Sequence, residues 1–395
     1  MSGEIHDLIV VGGGLIGAAA ALGAGRQGRR VLLLDRSRPQ PVVGRFGMDI
    51  RNVSMSPASR LLLEDLGVWS QFPAAPFVAM QVWEEQGTQA LRFSAEDVQR
   101  QELGWIVENG QLVDALWQAL GRCACVTVAT GETIERVTEG VEAMTVATST
   151  REYQGRLLVA ADGARSAVRE QLGVATSSYP TGHFALVTLL DTELPHQGVA
   201  HQRFLLDGPL ALLPSAQPNR VSVVWSQSEY NAQRRQSLTD DAFCAEMAQA
   251  SEFQLGRVIA SDERYIFPLT QHLVANFNPL QRVVLLGDSA RVLHPLAGLG
   301  ANVGFEDVRD FLARLNALPD AADSGTRGMW SAFARHRRAR ARLMLTLMSA
   351  LRRVYAEDDP YLQWLRNLGV KLTMASGPLK RQVIREALGL GPLAA

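Results

Sequence analysis

The sequence is short of the features that would assign it quickly. Three cysteines in 395 residues (Cys123, Cys125 and Cys244) are too few, and odd in number, for a disulfide framework. Cys123 and Cys125 are expected to alternate along a strand as buried filler. No His/Cys group has zinc-ligand spacing, so no metal is expected. No Cys-x-x-x-x-Cys pair offers a redox disulfide, and no nucleophilic triad stands out. A net charge of −1 gives no global field toward nucleic acid or a membrane. Internal repeats and low-complexity tracts are lacking. This cysteine usage suits a reducing, cytoplasmic setting.

Long uncharged runs are scarce too. The run near the N-terminus, LIVVGGGLIGAAAALGAG at residues 8–25, lacks the basic flank of a signal peptide, because Glu4, His6 and Asp7 precede it. Its clustered glycines suit a turn better than a membrane span. It reads as a buried strand, a tight turn and a buried helix. Otherwise the composition, 47% hydrophobic and 20% charged, is that of a globular chain with room for two or three domains.

The turn is Gly12-x-Gly14-x-x-Gly17. The first glycine permits the turn, the second lets a pyrophosphate reach the backbone, and the third lets helix and strand pack closely. The helix N-terminus then offers N–H groups to phosphates. Val31–Leu34 is a second strand, ending at Asp35, where a carboxylate can accept from a ribose hydroxyl. This predicts dinucleotide binding and leaves NAD and FAD open. Further on, Ser56-Pro57 opens a helix. Arg51, just before it, suits a phosphate contact or a solvated turn equally. An apolar strand ends in Asp162-Gly163 within LLVAADGARSAVR, placing a carboxylate at a strand's carboxyl end. Short apolar pieces at 183–192, 199–206, 209–214, 220–226 and 263–268 carry the punctuation of an antiparallel sheet, and residues near 85 suggest a hairpin. His183, His196 and His201 fall among these sheet and loop segments.

A second glycine-rich loop needs a separate reason. RVVLLGD at 282–288 is a strand ending in Gly287-Asp288, and GLGANVGFEDVRDFLARL continues as a helix. Asp288 can bind a hydroxyl, and the N–H groups of Gly300, Ala301 and Asn302 can face negative charge. A ligand with phosphates at one end and a hydroxylated chain leading to an anionic group at the other has the shape of FAD. NAD has no ribityl chain for this second site.

The stretches GGGLIG, AADGARSAVR and GDSARVLHPLAGLGANVG resemble the fingerprints of the flavin-dependent aromatic hydroxylases similar to para-hydroxybenzoate hydroxylase. Within that group, HPLAGLGANVGFEDV, RNVSMSPASRLLLEDLGVW, VEN and GPLALLP resemble the ubiquinone-biosynthesis hydroxylases. The resemblance runs over almost the whole chain. It implies an α/β fold: a Rossmann-type FAD-binding domain (1–75, 100–178 and 272–320), an inserted antiparallel β-sheet substrate domain (76–99 and 179–271) and a C-terminal helical region (321–395). It also implies an FAD-dependent monooxygenase that consumes NADH or NADPH and O2 to hydroxylate an aromatic ring.

By position, the first loop and Asp35 would hold the ADP half of FAD. Arg51 and Asn109 would contact the pyrophosphate and ribityl region, Asp162 would shape flavin and NAD(P)H contacts, and Asp288 would bind the ribityl chain. Pro295 would sit beside the flavin ring, with Gly300, Ala301 and Asn302 facing its N1–O2 edge. His294 would act as acid/base or, alternatively, in a structural role. Two positions depart from the family pattern: Arg291 where His is usual, and Leu299 where Gln is usual. Leu299 lies between flavin-facing glycines and bears on substrate more than on FAD. The implied substrate is a lipophilic prenylated phenol or quinol. The alternatives are a soluble aromatic metabolite, or a non-catalytic FAD-binding role in a biosynthetic complex. Other ubiquinone-biosynthesis proteins and a homo-oligomer are compatible partners.

Residues 331–354 carry Arg335, Arg337, Arg338, Arg340, Arg342, Arg352 and Arg353 and no acid. The segment reads either as a solvated helix face or as a peripheral docking face for anionic lipid, at the inner membrane, or for an acidic protein.

Overall fold

The computed structural model describes residues 5–85, 90–293, 299–319, 322–326 and 328–356, with Arg381, Gln382 and Arg385. β1 (Ile5–Val11) turns through Gly12–Gly14 into α1 (Leu15–Arg26), which returns to β2 (Val31–Asp35), parallel to β1. Leu8, Ile9, Val10, Leu33 and Leu34 are wholly buried, as expected of a parallel sheet covered on both faces. Each such side chain contributes about 1.5–3 kcal/mol.

β3 (Asn52–Met55) precedes α2 (Pro57–Asp65), which starts as its Ser-Pro pair dictates: Ser56 Oγ accepts the Ser59 N–H at 3.2 Å, and Pro57 takes the first turn. Next come β4 (Ala75–Phe77), β5 (Ala79–Glu84), β6 (Leu91–Ser94), β7 (Gly104–Glu108) and α3 (Asn109–Gly121). β8 (Val126–Thr130), β9 (Ile134–Glu139), β10 (Met144–Thr148) and β11 (Glu152–Ala160) follow. Cys123 and Cys125 do not alternate along a strand. They occupy the turn between α3 and β8, where Cys123 packs against Gly25 of α1. The strand begins only where the β-branched run at Val126 allows it.

After α4 (Ala167–Gln171) the chain builds β12 (Thr176–Thr192), β13 (Val199–Leu205), β14 (Gly208–Pro214) and β15 (Arg220–Ser228). It continues through α5 (Glu229–Ser237), α6 (Asp240–Ala250), β16 (Val258–Ser261) and β17 (Tyr265–Val274). β18 (Val283–Leu285), β19 (Arg291–Val292), α7 (Leu299–Asn316) and α8 (Ser331–Ala356) complete the described elements.

Among the described residues, one seven-stranded sheet runs β8-β2-β1-β11-β10-β9, with β18 parallel to the carboxyl half of β11. A nine-stranded sheet runs β19-β17-β12-β15-β14-β13-β5-β6, with β16 on β12. β3, β7 and β4 form a small third sheet. β17 runs without a break to Val274, and β19 joins the same sheet, so the nine-stranded sheet reaches almost to α7. One face of this sheet buries Leu186, Leu210, Leu212, Val223 and Trp225 against Phe243 and Met247 of α6.

Helices α7 and α8 are joined by charge inside the protein. Asp307 is fully buried and accepts from Gly287 N at 2.9 Å, Arg291 Nη1 at 2.6 Å and Arg337 Nε at 2.5 Å. Arg337, 1% exposed, also reaches Glu306 at 3.1 Å and Asp310 at 3.2 Å, and Arg340 lies 3.4 Å from Glu306. Burial alone would lower the Arg337 pKa, but Asp307, Glu306 and Asp310 outweigh it and hold the guanidinium charged. This corrects the reading of the arginine-rich segment as one solvated or docking face: Arg337 and Arg340 are interior ion-pair partners. Arg335 and Arg342 are exposed and Arg338 is half-buried.

Removing one member of a buried charge network strands the others, at about 3–5 kcal/mol. Asp307→Asn should therefore lower unfolding stability in urea by that amount. Glu152→Gln, at the exposed Arg136 pair, should cost under about 1 kcal/mol. Equal losses would show that the network is not what joins the helices.

Candidate functional site

Four loops leave the carboxyl ends of parallel strands on one edge of the seven-stranded sheet, where open α/β sheets hold ligands. They follow β1, β2, β11 and β18, and carry Gly12–Gly14, Asp35, Asp162-Gly163 and Gly287-Asp288. Their mutual fit needs glycine. Gly12 has φ +102°, and a Cβ there would strike the Ala161 carbonyl and Asp162 Cα. Gly17 is pressed onto the Gly12 carbonyl in the same way.

Gly13 donates its N–H to Asp35 Oδ2 at 2.5 Å, and Trp117 Nε1 donates to Gly13 O at 2.8 Å. Arg51 is fixed from below by buried Asp49, which accepts the Arg51 N–H at 2.9 Å and the Gly110 N–H at 2.8 Å. The Glu108 carboxylate accepts from Asp49 N at 2.7 Å, and burial raises its pKa. Asn109 N–H donates to Arg51 O at 2.9 Å. The Arg51 side chain is largely exposed and donates to Gln40 O at 2.8 Å.

Arg169 ties two loops together. Nη1 donates to Ser289 O at 2.9 Å and Nη2 to Ala164 O at 2.6 Å. His272 Nε2 lies 3.0 Å from Asp288 O, and burial and then Arg169 lower its pKa. At the start of α7, Asn302 is buried. Its Oδ1 accepts from Ser56 N at 2.8 Å and Ser59 Oγ at 2.7 Å, and its Nδ2 donates to Ser54 O at 2.8 Å. The Asn302 side chain therefore fastens α7 to β3 and α2.

A cavity of about 750 Å³ opens between this edge and the nine-stranded sheet. Gly14, Arg51, Gly163, Asp288, Gly300, Ala301 and Asn302 line it. Gly12, Gly17, Asp35, Asn109 and Asp162 are not part of that lining, although Asp162 precedes Gly163 in the chain. His294 and Pro295 lie outside the described residues. Leu299 begins α7, and its side chain is likewise outside them.

The donor set fits an extended dinucleotide with a hydroxylated chain. A Cβ on Gly14, Gly163 or Gly300 would meet no atom of the described residues within 4 Å. Asp162 Oδ1 is buried with no partner among the described residues. The Asp288 carboxylate borders the cavity and makes no hydrogen bond to a described residue. Crowding by protein raises its pKa, with Arg291 opposing and Asp307 reinforcing. A carboxylate at a strand end that faces the cavity with its side open, and makes no hydrogen bond to a described residue, can accept from a ligand hydroxyl.

Several residues of this site carry no signal in the sequence. Trp117, Asp49 and His272 act through partners far away along the chain. Arg169 lies within the Asp-Gly stretch, but its bond to Ser289 spans a sequence separation of 120 residues. Gln202 borders the cavity from β13. Only the alternation of that strand could have pointed to it.

Comparisons with known proteins agree with this geometry. The family described as FAD binding domain matches residues 6–346. The chain is 31% identical to a ubiquinone hydroxylase of Rhodospirillum rubrum, over 98% of this chain and 91% of the relative. It is 31% identical to the 3-demethoxyubiquinol 3-hydroxylase of Escherichia coli, over 99% of this chain and all of that protein. The crystal structure of p-nitrophenol 4-monooxygenase from Pseudomonas putida shares the fold, with a TM-score of 0.78 at 18% identity, covering 98% of this chain and 99% of that one.

Asp288→Asn tests the hydroxyl acceptor. A raised carboxyl pKa means that the charged form costs the folded apoprotein stability, a cost present above the folded pKa and absent well below the unfolded one. Because the Asp288 side chain is exposed, this cost is small; at pH 7 the variant should melt no lower than wild type when stripped of FAD, yet retain little flavin absorbance after purification. A full flavin spectrum in the variant would remove Asp288 from the site.

Proposed function

We propose that this chain, which belongs to the FAD-binding-domain family and to its ubiquinone-biosynthesis hydroxylases, hydroxylates a polyprenylated phenol or benzoquinol. It is an FAD-dependent monooxygenase that uses NADH or NADPH and O2. When bound, FAD supplies electron transfer from the nicotinamide to O2, one atom of which enters the ring while the other leaves as water.

The chain's own residues do the rest. Gly12, Gly14, Gly17 and the start of α1 would take the pyrophosphate, beside Asp35, Arg51 and Asn109. Asp162 and Asp288 would accept from flavin-side hydroxyls, and the start of α7 at Gly300, Ala301 and Asn302 would face the ring's negative edge. His294, Pro295 and Leu299 are proposed to border the reacting ring. The FAD domain is proposed to rest on the seven-stranded sheet and its helices and the substrate domain on the nine-stranded sheet, which also takes in β19 and the end of β17 from the segment 272–320.

One observation carries the substrate reading. The cavity wall supplied by the nine-stranded sheet includes Met80, Phe93, Ala185, Val187, Ala211, Leu213 and Val224. Such a wall excludes water and favours a lipophilic ring over a soluble, charged metabolite. Purified FAD-loaded protein given NAD(P)H and a short-chain prenylphenol should form a product heavier by one oxygen atom. With 18O2 the added oxygen should be labelled. NAD(P)H oxidation that yields only hydrogen peroxide with every prenylphenol tried would reject the reading.

A substrate of this kind resides in a bilayer, so we also propose peripheral contact through Arg335, Arg338 and Arg342. No helix among the described residues is long and apolar enough to cross a membrane. Each cation near an anionic surface adds on the order of 1 kcal/mol. Flotation with phosphatidylserine vesicles should be lost in the triple alanine variant and in high salt. Equal flotation of variant and wild type would reject the contact.

A further inference from the structure

The cavity wall contributed by the nine-stranded sheet can be read residue by residue from its register. Directly opposed residues of neighbouring strands share a face. Gln202 opposes Ala211, Ala211 opposes Val224, and Val224 opposes Val187. Ala200 opposes Met80, which opposes Phe93. All of these line the cavity. The alternate residues His201 and Arg203 belong to the other face. There His201 meets the Trp83 ring edge-on at 6.1 Å, and Arg203 donates to Ala250 O at 2.7 Å and Glu252 at 2.6 Å. Burial, then Arg92 and His196, lower the His201 pKa to about 4, so it adds no cation.

Among the described residues the inward face is therefore apolar but for Gln202 and Ser226, which are 5% and 2% exposed, and the exposed Thr270 of β17 at its border. Neither Gln202 nor Ser226 makes a side-chain hydrogen bond to any described residue. The small exposure that Gln202 keeps is toward the cavity, so its amide is open to whatever enters there and a ring that displaces cavity water must meet its hydrogen-bonding demand. The charged residues lining the cavity, Arg51 and Asp288, stand on the opposite, seven-stranded side.

We propose that Gln202 is the hydrogen-bonding anchor of the substrate pocket, taking an oxygen substituent of a neutral aromatic ring, and that the pocket rejects aromatic carboxylates. The amide suits this task. It offers two donors and an acceptor, so it can meet a phenol hydroxyl, a methoxy oxygen or a quinone carbonyl. It carries no charge to compensate a carboxylate, and no cation shares its face, so a buried carboxylate would stay unpaired. Sites built to hydrogen-bond a ring substituent reject analogues that lack it. The inference rests on the proposed function and sharpens its substrate class from lipophilic ring to neutral, oxygen-bearing ring.

Three probes test it on FAD-loaded protein, read by perturbation of the flavin absorbance: 2,3-dimethoxy-5-methyl-1,4-benzoquinone, the oxygen-free ring p-xylene, and 4-hydroxybenzoate. Gln202→Leu should bind the quinone roughly tenfold more weakly and p-xylene as well as wild type does, with an unchanged flavin spectrum. Gln202→Asn, shorter by one methylene, should fall between them, and it carries the comparison if the leucine variant fails to take up flavin. 4-Hydroxybenzoate should not displace the quinone from wild type. Equal quinone affinity in wild type and variants overturns the role of Gln202 and leaves the proposed function standing. Tight hydroxybenzoate binding overturns the neutral-ring selectivity. No quinone binding by wild type overturns the inference together with the reading on which it rests.

Discussion

Asp307 is wholly shut off from water and takes three donors: the Gly287 amide, Arg291 and Arg337. A carboxylate there is tolerable only because the donors are charged and well aimed. Its two arginines bring one positive charge too many, Glu306 and Asp310 add two negative charges through Arg337, and Arg340 on Glu306 makes three arginines to three carboxylates. The network thereby joins three things that the site needs. It holds the turn after β18 that presents Asp288. It holds α7, whose first turn borders the cavity. It also holds α8, which lies across α7. Arg291, a departure from the family pattern, is accounted for by this network: its guanidinium takes up the Asp307 charge and lies 5.7 Å over the Phe277 ring.

A second constraint is the crowding of strand-end loops. Gly12 meets the turn after β11, and Gly287, at φ +60°, sits against Ile16 in the first turn of α1. Arg169 then fastens the turn after β11 to the turn after β18. Segments separated by more than a hundred residues meet because β1, β11 and β18 are adjacent and parallel in one sheet. A second glycine-rich loop late in the chain is thus the other half of a single site.

How much of this was readable beforehand depends on the range of the interaction. Turn chemistry is local, so the Gly12–Gly17 turn, the Ser56-Pro57 helix start and the strand ends at Asp162 and Asp288 could be recognised from neighbouring residues alone. Alternation likewise gave the strands of the second sheet. Burial of charge is not local. Seven arginines without an acid look like a surface, yet Arg337 and Arg340 face inward because Glu306, Asp307 and Asp310 lie on a different helix. Gln202 was hidden for a related reason: period-two alternation separates two faces without saying which one covers a cavity.

The two walls of the cavity differ in what they can offer a ligand. The seven-stranded side presents glycine backbones, two carboxylates in raised-pKa surroundings and an arginine at its edge. These groups suit phosphates and hydroxyls, which arrive with their own hydrogen-bonding demands. The nine-stranded side presents mostly hydrocarbon, with the Gln202 amide and the hydroxyls of Ser226 and Thr270 as its polar groups. A ring held there loses its water shell, so every remaining electrostatic contact strengthens, and any group left unpaired is penalised in proportion. The same desolvation that favours an apolar ring therefore makes a single amide selective: in a wet site Gln202 would be one hydrogen-bonding group among many, whereas in this one it meets few competitors. Selectivity here follows from how little the wall offers.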